Sequence, residues 1–246
     1  QESTEALTAK IIRDSRSISK LLKKDNILPT EVSDYHLYPI ADNDTPNLAA
    51  DRLEYTLANG LFLYDIWDFD KVKTFYNDLT ILKNEKDADE ISFKTPEVAA
   101  EFTKMNLPLA SIYHGDKARA NLQFTADILK SMINSEYLTE NDLYIMSERE
   151  VVDWILSCGD KTISEAYRQF QRATSVFSTS TAKKNCYCIS TKAKVRYIVP
   201  LTKNESGAAE RITNLDSEVD AAIEEYLDTK QSKYVGFDFE FTPYTE

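Results

Sequence analysis

The sequence predicts a mainly α fold with a small α+β portion at its C-terminal end. The chain has 246 residues but only 5 Gly and 7 Pro, a composition typical of long helices rather than of a turn-rich β protein. Apolar residues recur at helical spacing through most of residues 1–174. Beyond this point the pattern changes to the alternation that is typical of strands. We therefore expect a helical domain over residues 1–174 and a small α+β appendage over residues 175–246.

Apolar spacing and N-terminal caps place the helices of the first half. Residues 4–24 form the first predicted helix. Its apolar residues are Leu7, Ile11, Ile18, Leu21 and Leu22. A short helix is indicated from Thr30, and the next helix begins at residues 45–46, with Thr as N-cap and Pro at the first helical position. A further helix is expected over residues 68–79.

A small hairpin interrupts these helices, because apolar runs at residues 80–82 and 90–93 flank the polar run 84–89. Further helix starts are indicated where a hydroxyl residue precedes an acid by three positions. These pairs are Thr139/Asp142, Ser147/Glu150 and Thr162/Glu165. In the C-terminal portion, residues 186–200 and 234–241 alternate as strands, which we expect to pair with each other. No internal repeat stands out in the sequence.

The helix that follows residue 45 carries a compact set of polar side chains. At about 100° per residue, its apolar residues fall on one side. These are Leu53, Leu57, Gly60, Leu61 and Tyr64. Asp51, Arg52, Tyr55 and Asn59 fall within an arc of roughly 100° on the other side. This set could hold a cation together with the phosphate or sugar of a nucleotide, while an amphipathic helix with a solvated polar face is the alternative that the geometry leaves open.

Residues 51–57, Asp-Arg-Leu-Glu-Tyr-Thr-Leu, resemble the "D-A-D-R-[LM]-D-Y-L-L-R-D" segment of HD-domain phosphohydrolases, especially of the deoxynucleoside triphosphate triphosphohydrolase branch. The resemblance implies that Asp51 is a metal ligand, that Arg52 contacts phosphate and that Tyr55 lies beside the phosphate and sugar. Asn59 stands where the family more often has an Asp near the sugar, a change that keeps hydrogen bonding but removes a charge.

A second segment, residues 111–120, is similar to the "Y-Y-H-K-T-x-R-A" helix of the same family. The resemblance implies that Tyr113, His114, Lys117 and Arg119 approach the triphosphate, with His114 as the candidate catalytic or phosphate-binding base. The residues alone leave open a hydrogen-bonded helix His with two surface cations. The similarity extends over roughly residues 3–156 and implies an HD-domain-like helical bundle.

The chain differs from the family pattern in its metal ligands. HD proteins supply a His and then a His-Asp pair before the Asp helix, whereas this chain has His only at positions 36 and 114, and neither precedes an Asp. Two accounts are open: a segment upstream of Gln1 carries these ligands, which is our expectation, or the protein is a degenerate member without a metal centre. Ligands of mixed His and carboxylate type suit Mn²⁺, Fe²⁺, Ni²⁺ or Zn²⁺, and two or more oxygens would also admit Mg²⁺.

Two classes of function follow from these features. The first is a metal-dependent phosphohydrolase of the HD superfamily that acts on a nucleotide or a related phosphate ester. The second is a non-catalytic nucleotide-sensing or interaction module on a degenerate HD scaffold. Members of the resembled family commonly assemble, so a homo-oligomer is a further expectation.

Charge and composition limit the kinds of molecule that we expect the protein to bind. The net charge of −12 argues against a nucleic-acid polymer, since neutralising its backbone needs clustered Lys and Arg. The sequence contains no apolar run of about 18 residues, so no membrane span is expected. The three Cys, at 158, 186 and 188, lack the second pair that a zinc site needs, and we expect reduced thiols in a cytoplasmic protein.

Overall fold

The protein has a mixed α+β fold in which helices dominate. A computed structural model describes residues 5–34 and 37–244. Across this described part of the chain, 12 helices make up 52% of the structure and strands in three small sheets make up 11%. The predicted mainly α class is therefore wrong, because paired strands occur in both the N-terminal and the C-terminal portions.

The helices and strands have the following bounds. The helices are α1 (Glu5–Asp14), α2 (Arg16–Lys24), α3 (Pro29–Val32), α4 (Ala50–Phe62), α5 (Phe69–Asn77), α6 (Pro96–His114), α7 (Asp116–Asn134), α8 (Asp142–Ile145), α9 (Glu148–Ser157), α10 (Lys161–Arg172), α11 (Ile212–Leu215) and α12 (Ser217–Leu227). The strands are β1 (Leu79–Lys83), β2 (Asp89–Phe93), β3 (Phe177–Thr179), β4 (Tyr187–Ile189), β5 (Leu201–Lys203), β6 (Ala209–Arg211) and β7 (Tyr234–Phe237).

The chain forms two compact units. Unit 1 consists of Gln1–Leu109 and Tyr197–Ile223, and unit 2 consists of Ala110–Arg196 and Glu224–Glu246. Helices α6 and α12 each contribute residues to both units. The division expected near residue 174 stays a prediction.

The strands of unit 1 explain why the fold class differs from the prediction. β1 and β2 pair antiparallel from Leu79↔Phe93 to Lys83↔Asp89, which confirms the predicted hairpin. Phe93 is fully buried and its ring lies 5.1 Å from that of Phe102 on α6. The hairpin is thus part of the core of unit 1 rather than a minor addition to a helical bundle.

The second hairpin of unit 1, β5–β6, repeats the turn of the first. In each turn an Asn side-chain oxygen accepts hydrogen bonds of 3.0–3.1 Å from the backbone N–H groups two and four residues later, Asn84 in the first hairpin and Asn204 in the second. Each Asn also donates to a Glu six residues further on, Glu90 at 3.3 Å and Glu210 at 3.1 Å. The expectation of no internal repeat is therefore wrong, since a Lys-Asn-Glu turn is used twice.

Arg211 joins the two hairpins through a buried carboxylate. Its guanidinium donates to Glu90 at 2.6 and 2.9 Å and to Glu85 at 2.7 and 2.8 Å. Glu90 is fully buried and also accepts a hydrogen bond from the backbone N–H of Leu48 at 3.1 Å. The Arg211 hydrogen bond lowers the pKa of Glu85 to about 2. Glu90 therefore depends on Arg211 for the neutralisation of its charge.

Two of the predicted N-terminal helix boundaries differ in the structure. The helix expected over residues 4–24 is divided into α1 and α2 at Ser15, whose side chain caps α2. The start at residues 45–46 is also wrong, because α4 begins at Ala50. The carbonyl groups of this segment have other partners: Pro46 O accepts a hydrogen bond from the Val199 N–H at 2.9 Å.

The core of unit 2 is built around Phe124 on α7. This ring is fully buried, and five aromatic rings have their centroids within 5.8 Å of it. They belong to Phe170, Tyr187, Phe237, Phe239 and Phe241. β7 lies between β3 and β4 in an antiparallel sheet, which confirms that segments 186–200 and 234–241 pair. A Cβ at Gly236 would lie 1.8 Å from the Tyr187 carbonyl oxygen, so this close strand pairing requires glycine.

Among residues 5–34 and 37–244, no helix has the length and apolar character that crossing a bilayer requires. His36 lies outside the described residues.

The Arg211 cluster gives a test of the fold. We expect Arg211→Ala to lower the free energy of unfolding by about 3–5 kcal/mol, because it leaves the buried Glu90 carboxylate without its counterion. Lys73→Ala is the control, since Lys73 and Asp70 form an ion pair whose side chains are 60% and 90% exposed. Urea unfolding monitored by circular dichroism measures both variants, and equal stabilities would contradict the role given to Arg211.

Candidate functional site

Asp51 lies on the first turn of α4 with its side chain exposed. The side chain makes no hydrogen bond or ion pair with any other described residue. Its backbone is fixed, because the N–H groups of Ala50 and Asp51 donate to the carbonyl oxygens of Ile40 at 2.8 Å and Ala41 at 3.1 Å. Asp51 is therefore an anchored carboxylate that is open to a ligand.

Arg52 has a different environment, although it is the next residue. Its guanidinium donates to the side-chain oxygen of Asn43 at 2.7 Å, to the backbone oxygen of Asn43 at 2.6 Å and to the backbone oxygen of Asn47. Asp42 lies 3.6 Å from the same guanidinium, and the Arg52 side chain is only 12% exposed. Arg52 thus holds the loop before α4 in place.

Tyr55 and Asn59 lie further along the polar side of α4 and are partly buried. On the opposite side Leu53, Leu57 and Gly60 are buried as the apolar spacing predicts, whereas Tyr64 lies beyond the end of α4 and is exposed. A Cβ at Gly60 would lie 2.2 Å from the Trp67 ring, whose Nε1 donates to the Leu57 carbonyl oxygen at 3.0 Å. The Trp67 ring therefore packs directly against the α4 backbone at Gly60.

His114 is the last residue of α6 and is buried in unit 2. Its ring centroid lies 5.8 Å from that of Tyr226, and its backbone oxygen accepts a hydrogen bond from Gln231 at 3.2 Å. Burial lowers the pKa of His114, the nearby Arg119 charge lowers it further, and Asp116 acts in the opposite direction. The imidazole is therefore neutral at pH 7 and can accept a proton.

A cleft of about 210 Å³ adjoins His114 within unit 2. Its lining residues are Ser111, His114, Gly115, Asp116, Tyr226, Thr229, Lys230 and Gln231. A neutral imidazole, an ammonium group, hydroxyls, an amide and the Asp116 carboxylate all border this space. Such a lining can hydrogen-bond an oxygen-rich ligand.

Arg119 is buried, so it is not the surface cation that the residues alone left open. Its guanidinium donates to the backbone oxygens of Thr191 at 2.7 Å and Ser232 at 2.8 Å, and Asp116 lies 3.0 Å away. Its Nε is buried and has no hydrogen-bond partner among the described residues. Arg119 thus connects α7 to two distant segments of unit 2, at residues 191 and 231–232.

Lys117 and Tyr113 complete the predicted set. Lys117 is exposed near the start of α7 and makes no hydrogen bond or ion pair with another described residue. Tyr113 is partly buried near the end of α6. The predicted residues thus form two groups, one on α4 in unit 1 and one at the α6–α7 junction in unit 2.

Sequence reasoning missed the residues that surround His114. Tyr226 and Gln231 contact it from more than 100 residues away, and neither lies in a recognisable motif. Asp116 lies within the segment 111–120 that resembles the family, but its role as the partner of Arg119 and Ser178 depends on the tertiary structure. No local pattern could have identified these contacts.

Asp51 is the only predicted metal ligand, and it stands apart from other ligating side chains. In the described part of the chain, no group of three or more His, Cys, Asp or Glu side chains is arranged to hold a metal ion. A divalent ion at Asp51 would thus need water, substrate or other ligands besides the described side chains.

Comparison with known protein families finds no family that matches the chain, and comparison with curated proteins finds no matching protein.

The environment of His114 predicts a pH dependence of stability. Because its pKa is lowered in the folded state, the unfolded chain binds the proton first as the pH falls. Stability should be full above about pH 6.5 and should decrease as the pH drops below that value. His114→Gln should remove this decrease, whereas His36→Gln provides the matched control for the other His. Urea unfolding between about pH 7.5 and 5.5 measures it, and equal slopes in all three proteins would refute the assignment.

Proposed function

We propose that the protein is a metal-dependent phosphohydrolase of HD type that acts on a nucleotide or a related phosphate ester in the cytoplasm. The observation that carries the proposal is Asp51: an exposed carboxylate without a partner among the described residues, on a helix start that hydrogen bonds hold in place. The anchored backbone fixes where this carboxylate can meet a cation.

The metal would supply the central chemistry of this function. A divalent ion polarises a phosphoryl oxygen and lowers the pKa of bound water. Asp51 would contribute one ligand, and the ligand set is incomplete within the described residues. The role of the described residues would therefore be to position one carboxylate and to bind the substrate.

We assign substrate binding to the exposed Lys117 and to residues that line the His114 cleft. Lys117 is exposed and provides a cation for phosphate, while Lys230, Ser111 and Thr229 border the His114 cleft. His114 itself is neutral at pH 7 and provides a proton acceptor there. We do not assign phosphate binding to Arg52 and Arg119, because internal oxygens bind the terminal nitrogens of both guanidinium groups and the remaining Nε of Arg119 is buried.

The second candidate function is the non-catalytic nucleotide-sensing or interaction module. The same two arginines favour it, since groups that the resemblance links to phosphate serve here to hold loops. A protein of this class would bind a nucleotide without hydrolysing it. The two functions differ in turnover and in their dependence on a metal.

Asp51→Ala tests the proposed function. We expect it to lower kcat/KM for deoxynucleoside triphosphate hydrolysis with Mn²⁺ by more than about 100-fold, because it removes a metal ligand. Its thermal midpoint should be unchanged, since Asp51 is exposed and makes no contact with another described side chain. Phosphate release and thermal unfolding, measured on the same preparation, give both values.

Glu54→Ala is the matched control, because Glu54 is an exposed acid on the same helix. It should retain both activity and stability. Nucleotide binding without hydrolysis by the unsubstituted protein would support the second function instead. Equal hydrolysis by the Asp51→Ala and Glu54→Ala proteins would contradict the role of Asp51.

A further inference from the structure

The N-terminal helices α1 and α2 expose a basic and apolar surface. Residues 7–24 contain six basic residues and one acid, although the whole chain has a net charge of −12. No described side chain from residue 7 to residue 34 is buried. Leu21 is 60% exposed and Leu28 is 62% exposed. We call residues 7–24, together with the adjoining Leu28, the basic helix surface.

A cleft of opposite charge lies in unit 2, between α8 and α9. Its volume is about 470 Å³, and seven residues line it. They are Leu138, Asp142, Met146, Glu150, Asp153, Trp154 and Ser157. Three of these are acids and none is basic. We call it the acidic cleft.

The acidic cleft also offers apolar contact. Trp154 lines it and is 51% exposed, and the neighbouring Ile145 is 72% exposed. Hydrogen bonds from the backbone N–H groups of Thr139 and Ser147 lower the pKa values of Asp142 and Glu150, so both are carboxylates at neutral pH. Large exposed apolar residues beside fixed charges are typical of interaction sites.

We propose that the acidic cleft of one protein molecule binds the basic helix surface of a second copy. Charge is complementary, since Lys20, Lys23 and Lys24 of α2 would face Asp153 and the other cleft carboxylates. The exposed leucines would pack on Trp154, which is how an amphipathic helix binds in a groove. The aromatic ring also attracts lysine ammonium groups.

A second copy fits these surfaces better than an anionic membrane or a symmetric helix contact. Outside residues 7–24 the chain has a large excess of acids, which an anionic lipid surface would repel. Two basic helix surfaces facing each other would also repel. The contact is therefore heterologous, with two different patches meeting, and such contacts build rings or chains of molecules.

Charge reversal on each side tests this contact. The helix variant carries Lys20→Glu, Lys23→Glu and Lys24→Glu, and the cleft variant carries Asp153→Lys. All four positions are exposed, and the helix-capping residues Asp142 and Glu150 stay intact. Each variant alone should weaken self-association by about tenfold or more in sedimentation velocity.

Mixing the two variants gives the decisive result. The cleft variant keeps a basic helix surface and the helix variant keeps an acidic cleft. An equimolar mixture should therefore form heterodimers, whereas neither variant should form dimers by itself. Glu225→Lys, an exposed acid on α12, is the control and should associate like the unsubstituted chain. Circular dichroism verifies that every variant is folded.

Salt dependence adds a second measurement. Raising the salt from about 0.1 M to about 1 M shortens the Debye length from about 10 Å to about 3 Å and should dissociate the assembly. A monomeric unsubstituted chain at low salt would overturn the proposal, as would a mixture without heterodimers. Co-sedimentation of the monomer with phosphatidylserine vesicles, without self-association, would also overturn it and would assign the basic helix surface to lipid.

Discussion

Guanidinium groups that find all their acceptors inside the protein hold each unit of this chain together. Arg211 binds two hairpins in unit 1 through Glu85 and Glu90. Arg119 binds α7 to distant backbone carbonyls in unit 2, and Arg52 orders the loop before α4. A guanidinium presents five donors in a rigid fork, so one side chain can connect several segments at once. A chain with few glycines and short strands gains its long-range order in this way.

Neighbouring residues therefore have different roles: the arginines make internal hydrogen bonds, and the residues beside them are exposed. Arg52 faces inward and Asp51 faces solvent, although they are adjacent in sequence. Two positions apart on α7, Arg119 is buried while Lys117 is exposed. A group whose donors are already bonded cannot bind a phosphate without losing those bonds. The groups left for a ligand are thus a carboxylate, a lysine and a neutral imidazole.

Several local features of the fold were predictable from the sequence, although Asp160 rather than the predicted Thr162 caps α10. The Ser147/Glu150 capping box is present at the start of α9, and the polar run at residues 84–89 closes a hairpin. These features depend on residues within a few positions of one another. The fold class was wrong because composition describes how much helix there is, not whether a hairpin belongs to the core. The Lys-Asn-Glu motif at residues 83–85 recurs at 203–205, and the hydrogen bonds of Asn204 show that both copies form the same turn.

The candidate site was less predictable, for a physical reason. Sequence spacing places side chains on a face of a helix, but it does not reveal what approaches that face. Besides Asp116, the acceptors of Arg119 lie 72 to 113 residues away, and two of them are backbone carbonyls, which any residue type could provide. Asp51 and Lys117 are exposed and make no hydrogen bond or ion pair with another described residue, which their sequence neighbours do not reveal either.

Arg119→Ala and Lys117→Ala, compared in the same experiment, test most directly whether internal guanidinium bonds and ligand contacts are separate. Arg119→Ala should lower the free energy of unfolding by about 3 kcal/mol, because it removes the counterion of Asp116 and leaves the Thr191 and Ser232 carbonyl groups without this donor. The affinity of its folded form for a deoxynucleoside triphosphate should not change. Lys117→Ala should retain full stability and weaken nucleotide binding by about tenfold. A stable Arg119→Ala protein with lost nucleotide affinity would contradict this account.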